Sequence, residues 1–289
     1  MTTTSRQGSL KAPLQRMLKQ MGLYERLKVS WVYSVYWSIF NPTLVKDRAS
    51  EIEFYRHVLQ GFRKGGLIFD IGANHGQKTF AFLALGAHVV AIEPDDANQK
   101  RLKDRFLRYR MSPKPVQLVA KAVSERASVA TMWVDTPGSA KNTMSPKWVA
   151  TLREDPKRFG ERFEFSGSRE VETTTVDDLM ATYGVPFFIK IDVEGHEISV
   201  LRGMTRPVPY LSFEVNLPEF ATEGLECIRL LNNIQENGEF NYTGDSAFSF
   251  LLAEWVPYQQ FVRVFGEMQN RSVDVYWRTL TPSHLGDVR

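Results

Sequence analysis

Four short runs constrain this chain more than any other feature: "GLIFDIG" (66–72), "HVVAIEP" (88–94), "FFIKIDVEG" (187–195) and "YLSFEVN" (210–216). Each is continuously apolar and rich in β-branched or aromatic residues, with no alternation of apolar and polar. A strand can be that apolar only if both of its faces are buried, as in a parallel sheet covered by helices on each side. Helical stretches lie between the runs. In 95–110, Leu102, Phe106 and Tyr109 make an apolar stripe while Lys and Arg fill most of the other positions. Strand and helix alternating at this spacing predict an α/β, doubly wound sheet. Later, "FNYTGDSAF" and "VDVYWRT" read as strands that end the sheet, antiparallel to the rest.

Ahead of the first strand, residues 10–40 carry helical spacing, and Asn41-Pro42 ends it because the residue before proline is pushed out of the helical region. This divides the chain into an N-terminal helical extension over 1–60 and one larger domain over 61–289. The aromatic run "WVYSVYWSIF" (31–40) is far shorter than the roughly 20 apolar residues of a spanning helix. "MTTTSRQGSLKA" shows no apolar signal-peptide core. The expectation is a cytoplasmic protein with no transmembrane segment, and the sequence leaves its oligomeric state open.

Other stretches exclude classes of function. Cys227 is the single cysteine, so an internal disulfide and a CxxC motif are both excluded. It shares a helix face with Leu231 and Ile234, which predicts a packed thiol. A net charge of +3 points to no nucleic-acid partner. The basic "KRLKDRFLRYR" (100–110) reads as the solvated face of a helix, since the apolar stripe runs through it. Residues 136–170 lack periodicity and read as a functional or mobile insertion. Within it, "SAKNTMSPKWV" (139–149) offers Asn142, Ser145, Lys147 and Trp148 as a lid surface for a polar acceptor such as a sugar; the plainer reading is a surface loop with a packed Trp148.

The C-terminal ends of the four strands carry Asp70, Glu93, Asp192 and Glu214. Ligands of open α/β sheets bind in the crevice outside those ends, so four acids in register predict a lined cleft; any one of them alone would serve as a helix cap. "FDIGANHGQKTF" supplies a glycine turn between strand and helix, where the backbone bends tightly and the helix N-terminus offers free N–H groups. The G-x-G-x-x-G fingerprint of a dinucleotide site is missing, with Asn74 where its second glycine would stand. Glu93 ends the next strand, where a carboxylate can accept both hydroxyls of a ribose. His75, inside the turn, reads as shaping the loop.

Taken in order, "DIGANHG", "AIEPDDANQKRL", "TTVDDLM" and "IKIDVEGHEISVLRGM" resemble the FkbM-type family of class I S-adenosylmethionine-dependent methyltransferases, over roughly residues 60–216. The resemblance implies a Rossmann-like sheet of seven strands, the last antiparallel. It also implies methyl transfer to a hydroxyl of a glycan, glycolipid or secondary metabolite. Carried onto this chain, it sets Asp70, Gly72, Ala73, Asn74 and Gly76 around the methionine portion of the cofactor, with Asp192 beside them. Glu93 and Pro94 fall at the ribose and Ser124, in "KAVSE" (121–125), at the adenine. An acid common at this last place is replaced here by Ala122-Val123-Ser124.

Such a transfer needs an acceptor oxygen aligned with the methyl carbon and a base to take its proton. Asp192 and Glu194 are the expected base or orienting group, with Lys190 holding them ionised or touching substrate and His196 a second candidate base. By the period of two along a strand, Lys190, Asp192 and Glu194 share a face. In the competing reading Glu194 and Glu197 cap the next helix. No metal ligand set is assigned, although Asp192 with Glu214 could hold a divalent cation through oxygen. An NAD- or nucleotide-binding oxidoreductase and a non-catalytic scaffold that binds S-adenosylmethionine are the alternatives.

Overall fold

A computed structural model describes residues 42–106, 115–155, 158, 162–244, 247–269 and 271–279. The first elements are α1 (Pro42–Val58), β1 (Leu67–Ile71), α2 (Gln77–Ala84), β2 (His88–Ile92), α3 (Asp96–Phe106) and β3 (Val116–Val119). Then come β4 (Ala122–Val123), β5 (Val129–Val134), α4 (Pro146–Glu154), β6 (Gly167–Thr174), α5 (Val176–Tyr183) and β7 (Phe188–Ile191). The chain continues through α6 (Glu197–Arg202), β8 (Tyr210–Asn216), α7 (Ala221–Ile234), β9 (Glu239–Gly244), β10 (Val256–Pro257), α8 (Tyr258–Gly266) and β11 (Ser272–Arg278). The helical reading of 10–40, the aromatic run 31–40 and Tyr109 fall outside the described residues.

The main sheet has the order β3-β2-β1-β7-β8-β11-β9-β10. From β3 to β8 every pairing is parallel, while β11 runs antiparallel to both β8 and β9. Seven strands were expected; the eighth is the two-residue β10, pairing antiparallel on the outer edge of β9. Strand order reverses between β1 and β7, so the C-terminal ends of β1, β2 and β7 stand together at a topological switch point.

Both faces of the sheet are buried, which explains the unbroken apolar runs. Ile68, Val89 and Phe188 face a cluster with Tyr55, Phe82, Leu102 and Phe106, brought by α1, α2 and α3. Their neighbours Phe69, Val90 and Ile189 face the opposite cluster with Leu179, Val200, Cys227, Leu231 and Phe261. Cys227 is thus packed as its spacing predicted, and burial pushes its thiol pKa well up. On α3, Leu102 and Phe106 are buried while Lys100, Arg101 and Lys103 are exposed, the solvated basic face expected. No helix among the described residues is long and apolar enough to cross a membrane.

Three further features depart from the sequence reading. β9, expected antiparallel to the rest, runs in the same direction as β8, because β11 between them is antiparallel to both. A second sheet, β4-β6-β5, branches off after β3; its longest strand begins "GSREVE" and carries no apolar run that would announce it. The segment 136–170 is also more built than its aperiodic sequence suggested. Ser145 caps α4 by accepting from Trp148 N at 3.2 Å, Pro146 occupies the first turn, where its missing N–H costs nothing, and Trp148 and Leu152 have no exposed surface. Nine residues of helix, about two and a half turns, print only a weak stripe in a sequence, yet a buried indole anchors the segment to the core.

Candidate active site

One wall of the candidate site begins at the β1–α2 turn. Gly72, Asn74 and Gly76 all have left-handed φ, at 77°, 48° and 81°. A Cβ on Gly72 would stand 1.8 Å from the Asp192 carbonyl oxygen, and one on Gly76 would meet Phe106 at 2.4 Å and Leu102 at 2.7 Å. The turn is therefore clamped between α3 and the loop after β7, and only glycine fits either point. Gly72 N and Ala73 N both donate to Ile92 O at 3.0 Å, which ties the turn to the end of β2. Asn74 N then donates to Glu93 Oε2 and Asp95 N to Glu93 Oε1, each at 2.8 Å. Burial raises the Glu93 pKa to about 7 in spite of these two donors. His75 Nδ1 lies 3.2 Å from Asn74 Oδ1, inside the turn it was expected to shape.

The opposite wall is the turn after β7. Lys190 donates to Asp192 Oδ2 at 2.9 Å and stands 3.9 Å from Asp70 Oδ1. Asp70 has no exposed surface and accepts from Thr79 Oγ1 at 2.5 Å. Burial opposes the charge on Lys190, but Asp192 and Asp70 outweigh it and raise its pKa. Burial likewise opposes the charge on Asp192, and Lys190 outweighs it, holding that carboxyl below its usual value. The strand ends at Ile191 and Glu194 takes a left-handed φ of 55°. The expected common strand face of Lys190, Asp192 and Glu194 is consequently broken by the turn, and only the first two meet.

Glu194 is 8% exposed, and its carboxylate accepts from Lys141 Nζ at 2.8 and 3.2 Å. Burial raises its pKa, and Lys141 offsets part of that rise. Neither Glu194 nor Glu197 supplies the expected helix cap: the N-cap is His196, with no side-chain cap bond, and Glu197 Oε1 instead closes the preceding turn, accepting from Val193 N at 3.0 Å and Gly195 N at 3.3 Å; burial pushes its pKa up to about 8. His196 Nε2 lies 3.1 Å from Ser124 Oγ. Burial lowers the His196 pKa to about 4, so its imidazole is neutral at physiological pH and a weak base.

Between these walls lies an open cleft. Of the residues singled out from the sequence, Gly72, Asn74, Glu93, Pro94, Asp192, Glu194 and His196 line it. Asp70, Ala73, Gly76, Ser124 and Lys190 are not among its lining residues; they stand behind it or brace the residues that do. Glu214 borders a second, smaller cavity with Phe220 and Cys227, accepting from Ser272 Oγ at 3.0 Å. In the segment read as a lid, Asn142 lines the cleft, whereas Lys147 pairs with Glu223 at 2.5 Å and Trp148 is buried beneath.

Sequence reasoning missed Lys141 and Met132. Lys141 meets Glu194 across 53 residues of chain, and no spacing rule links residues so far apart. Met132 enters the cleft from the unforeseen second sheet. The donor set fits a nucleoside-bearing cofactor: Glu93 is a carboxylate fixed by two backbone N–H groups at the cleft wall, flanked by apolar Ile92, Val123 and Met132.

Five parallel strands, an antiparallel strand inserted beside the last long one, and a cleft at the switch point define a class I methyltransferase fold. The model of the Methyltransferase FkbM domain matches residues 70–248, more than half of the chain, and the chain belongs to that family. It is 25% identical over 173 residues to the hexuronic acid methyltransferase AglP of Haloferax volcanii, covering 59% of this chain. The match spans 63% of that relative's length. Among solved structures, a TehB-like methyltransferase from Corynebacterium glutamicum superposes with a TM-score of 0.41 at 8% identity, covering 80% of this chain and 88% of that one. A precorrin-6y C5,15-methyltransferase from Geobacter metallireducens gives 0.38 at 10% identity over 81% and 87%.

Proposed function

We propose that this protein is an O-methyltransferase that uses S-adenosylmethionine and acts on a hydroxyl of a sugar-containing acceptor. The observation that carries the reading is the buried Glu194 carboxylate in a cleft whose other wall is Glu93. Bound S-adenosylmethionine supplies a methyl group already activated on a sulfonium. What this chain adds is alignment and a proton acceptor. Glu93 and the turn through Gly72, Asn74 and Pro94 hold the nucleoside and methionine ends. Asp192, kept ionised by Lys190, adds a negative charge beside the turn, where it favours the cationic cofactor. Glu194 takes the acceptor proton, and its raised pKa brings it closer to an alcohol's needs than an ordinary carboxylate. The name of the AglP relative supports a sugar acceptor.

The test is to supply labelled S-adenosylmethionine with a uronic acid glycoside and locate the new methyl by mass spectrometry. A methyl ether on a ring hydroxyl is the expected product. A methyl ester on the carboxyl would sink the assignment of Glu194, since a carboxylate acceptor needs no base.

Glu93 gives a pH prediction. With a pKa of about 7 in the free protein, it is largely protonated at pH 6. Ribose hydroxyls donate to the ionised form, so binding lowers this pKa and releases a proton. Affinity for S-adenosylhomocysteine should therefore rise with pH, by up to about tenfold per unit below 7, and level off above it. Glu93→Gln should bind weakly with no such slope, and titrations from pH 6 to 8 read both.

A further inference from the structure

We propose that Lys141 is the resident cation of the acceptor site: its ammonium neutralises the Glu194 corner of a carboxylate set with Asp192 and Glu214 that could otherwise draw a divalent ion, and it positions the Glu194 carboxylate. The inference rests on the reading of this cleft as a methyl-transfer site. One oxygen from each of the three carboxylates lies within 4.8 Å of the others, the kind of all-oxygen donor set that hard divalent cations take. The loop before α4 sends an ammonium to the Glu194 corner of this set. Lys141 donates to both Glu194 oxygens, and the two side chains are only 19% and 10% exposed. Burial opposes its charge, and Glu194, Glu214 and Asp192 together outweigh that and raise its pKa.

The loop that carries the ammonium is held in place from several sides. Thr143 Oγ1 donates to Glu194 O at 2.7 Å, so one loop grips both the backbone and the side chain of Glu194. Asn142 Nδ2 donates to Asp95 Oδ2 and to Thr136 O, each at 3.0 Å, which fastens the loop to the start of α3. The indole of Trp148 lies 5.8 Å from the ammonium. A surface ion pair has no such scaffold and is worth little. With both Glu194 oxygens engaged by Lys141, an acceptor hydroxyl meets the carboxylate only along its remaining lone pairs, which fixes its direction of approach.

Lys141→Ala leaves Glu194 with no cation at its oxygens, beside Glu214 and an Asp192 that keeps Lys190. Calorimetric titration with Mn²⁺ at pH 8 should show no saturable binding to the native chain and sub-millimolar binding to K141A. That binding should disappear in the double variant K141A/E194Q. Turnover of K141A should fall at least about tenfold, with S-adenosylhomocysteine affinity unchanged, and K141R should restore most of it. Retained S-adenosylhomocysteine affinity also certifies the fold; if K141A lacks it, Lys141→Gln, which keeps the stem over Trp148, takes its place in the titration. Glu194-dependent Mn²⁺ binding by the native chain would overturn the proposal, and so would absence of Mn²⁺ binding in a folded variant. If the chain transferred no methyl group at all, the proposed function would fail while the Mn²⁺ titrations still judged Lys141.

Discussion

Glu194→Gln is expected to lower kcat by about 10²–10⁴, the usual contribution of a positioned general base, with S-adenosylhomocysteine affinity within about twofold of the native value. Glutamine keeps the shape of the side chain and can still accept from Lys141, so the loss isolates proton transfer. Asp192→Asn should behave differently. Asp192 pairs with the buried Lys190, and removing its charge leaves that ammonium with Asp70 alone at 3.9 Å. Its effect should appear in cofactor affinity and stability as well as in turnover. Stopped-time assays with saturating cofactor, alongside calorimetry, separate the two patterns. Full turnover in both variants with cofactor binding intact would remove these acids from the chemistry.

Gly72→Ala should cost the fold about 4 kcal/mol or more, in the range reserved for clashes that cannot relax. Two effects add. The left-handed φ of 77° penalises any residue with a Cβ by about 1–2 kcal/mol. The new atom would also fall 1.8 Å from the backbone oxygen of Asp192, which no side-chain rotation relieves. Because this contact joins the cofactor turn to the acceptor turn, binding of S-adenosylhomocysteine should be lost with it. Gly65 offers the matched control: its φ is 87°, with nothing within 4 Å of a built Cβ. Gly65→Ala should cost only the conformational part. In thermal melts, a drop on the order of 10 °C for Gly72→Ala against a few degrees for Gly65→Ala would separate clash from strain.

The parts legible in the sequence are those written in local pattern. β1, β2, β7 and β8 are announced by apolar runs because each is buried on both faces. Glu93 and the glycine turn are announced by their place at strand ends, and Cys227 by its helical spacing. What the sequence hides is set by distant contact. Of the second sheet, β4 has only two residues and β6 is largely polar with an exposed first half; β5, VATMWV, is the one strand whose composition marks it. Glu194 and Glu197 sit three residues apart with the same chemistry; only the left-handed turn at Glu194 sends one toward Lys141 and folds the other back onto the N–H groups of Val193 and Gly195. Lys190 reads as a site residue, whereas the structure buries it against Asp192 and Asp70, outside the lining of the cleft. His196 has the residue type of a base, but its surroundings drive its pKa to about 4.

The most direct test of the account is a calorimetric titration of the native chain and of Glu93→Ala with S-adenosylhomocysteine, and of the native chain with NADH. The native chain should bind S-adenosylhomocysteine at a single site. Glu93→Ala should weaken it about a hundredfold, as expected for losing two hydrogen bonds to a charged group, and NADH should give no saturable heat. Saturable NADH binding with no response to S-adenosylhomocysteine would contradict the account.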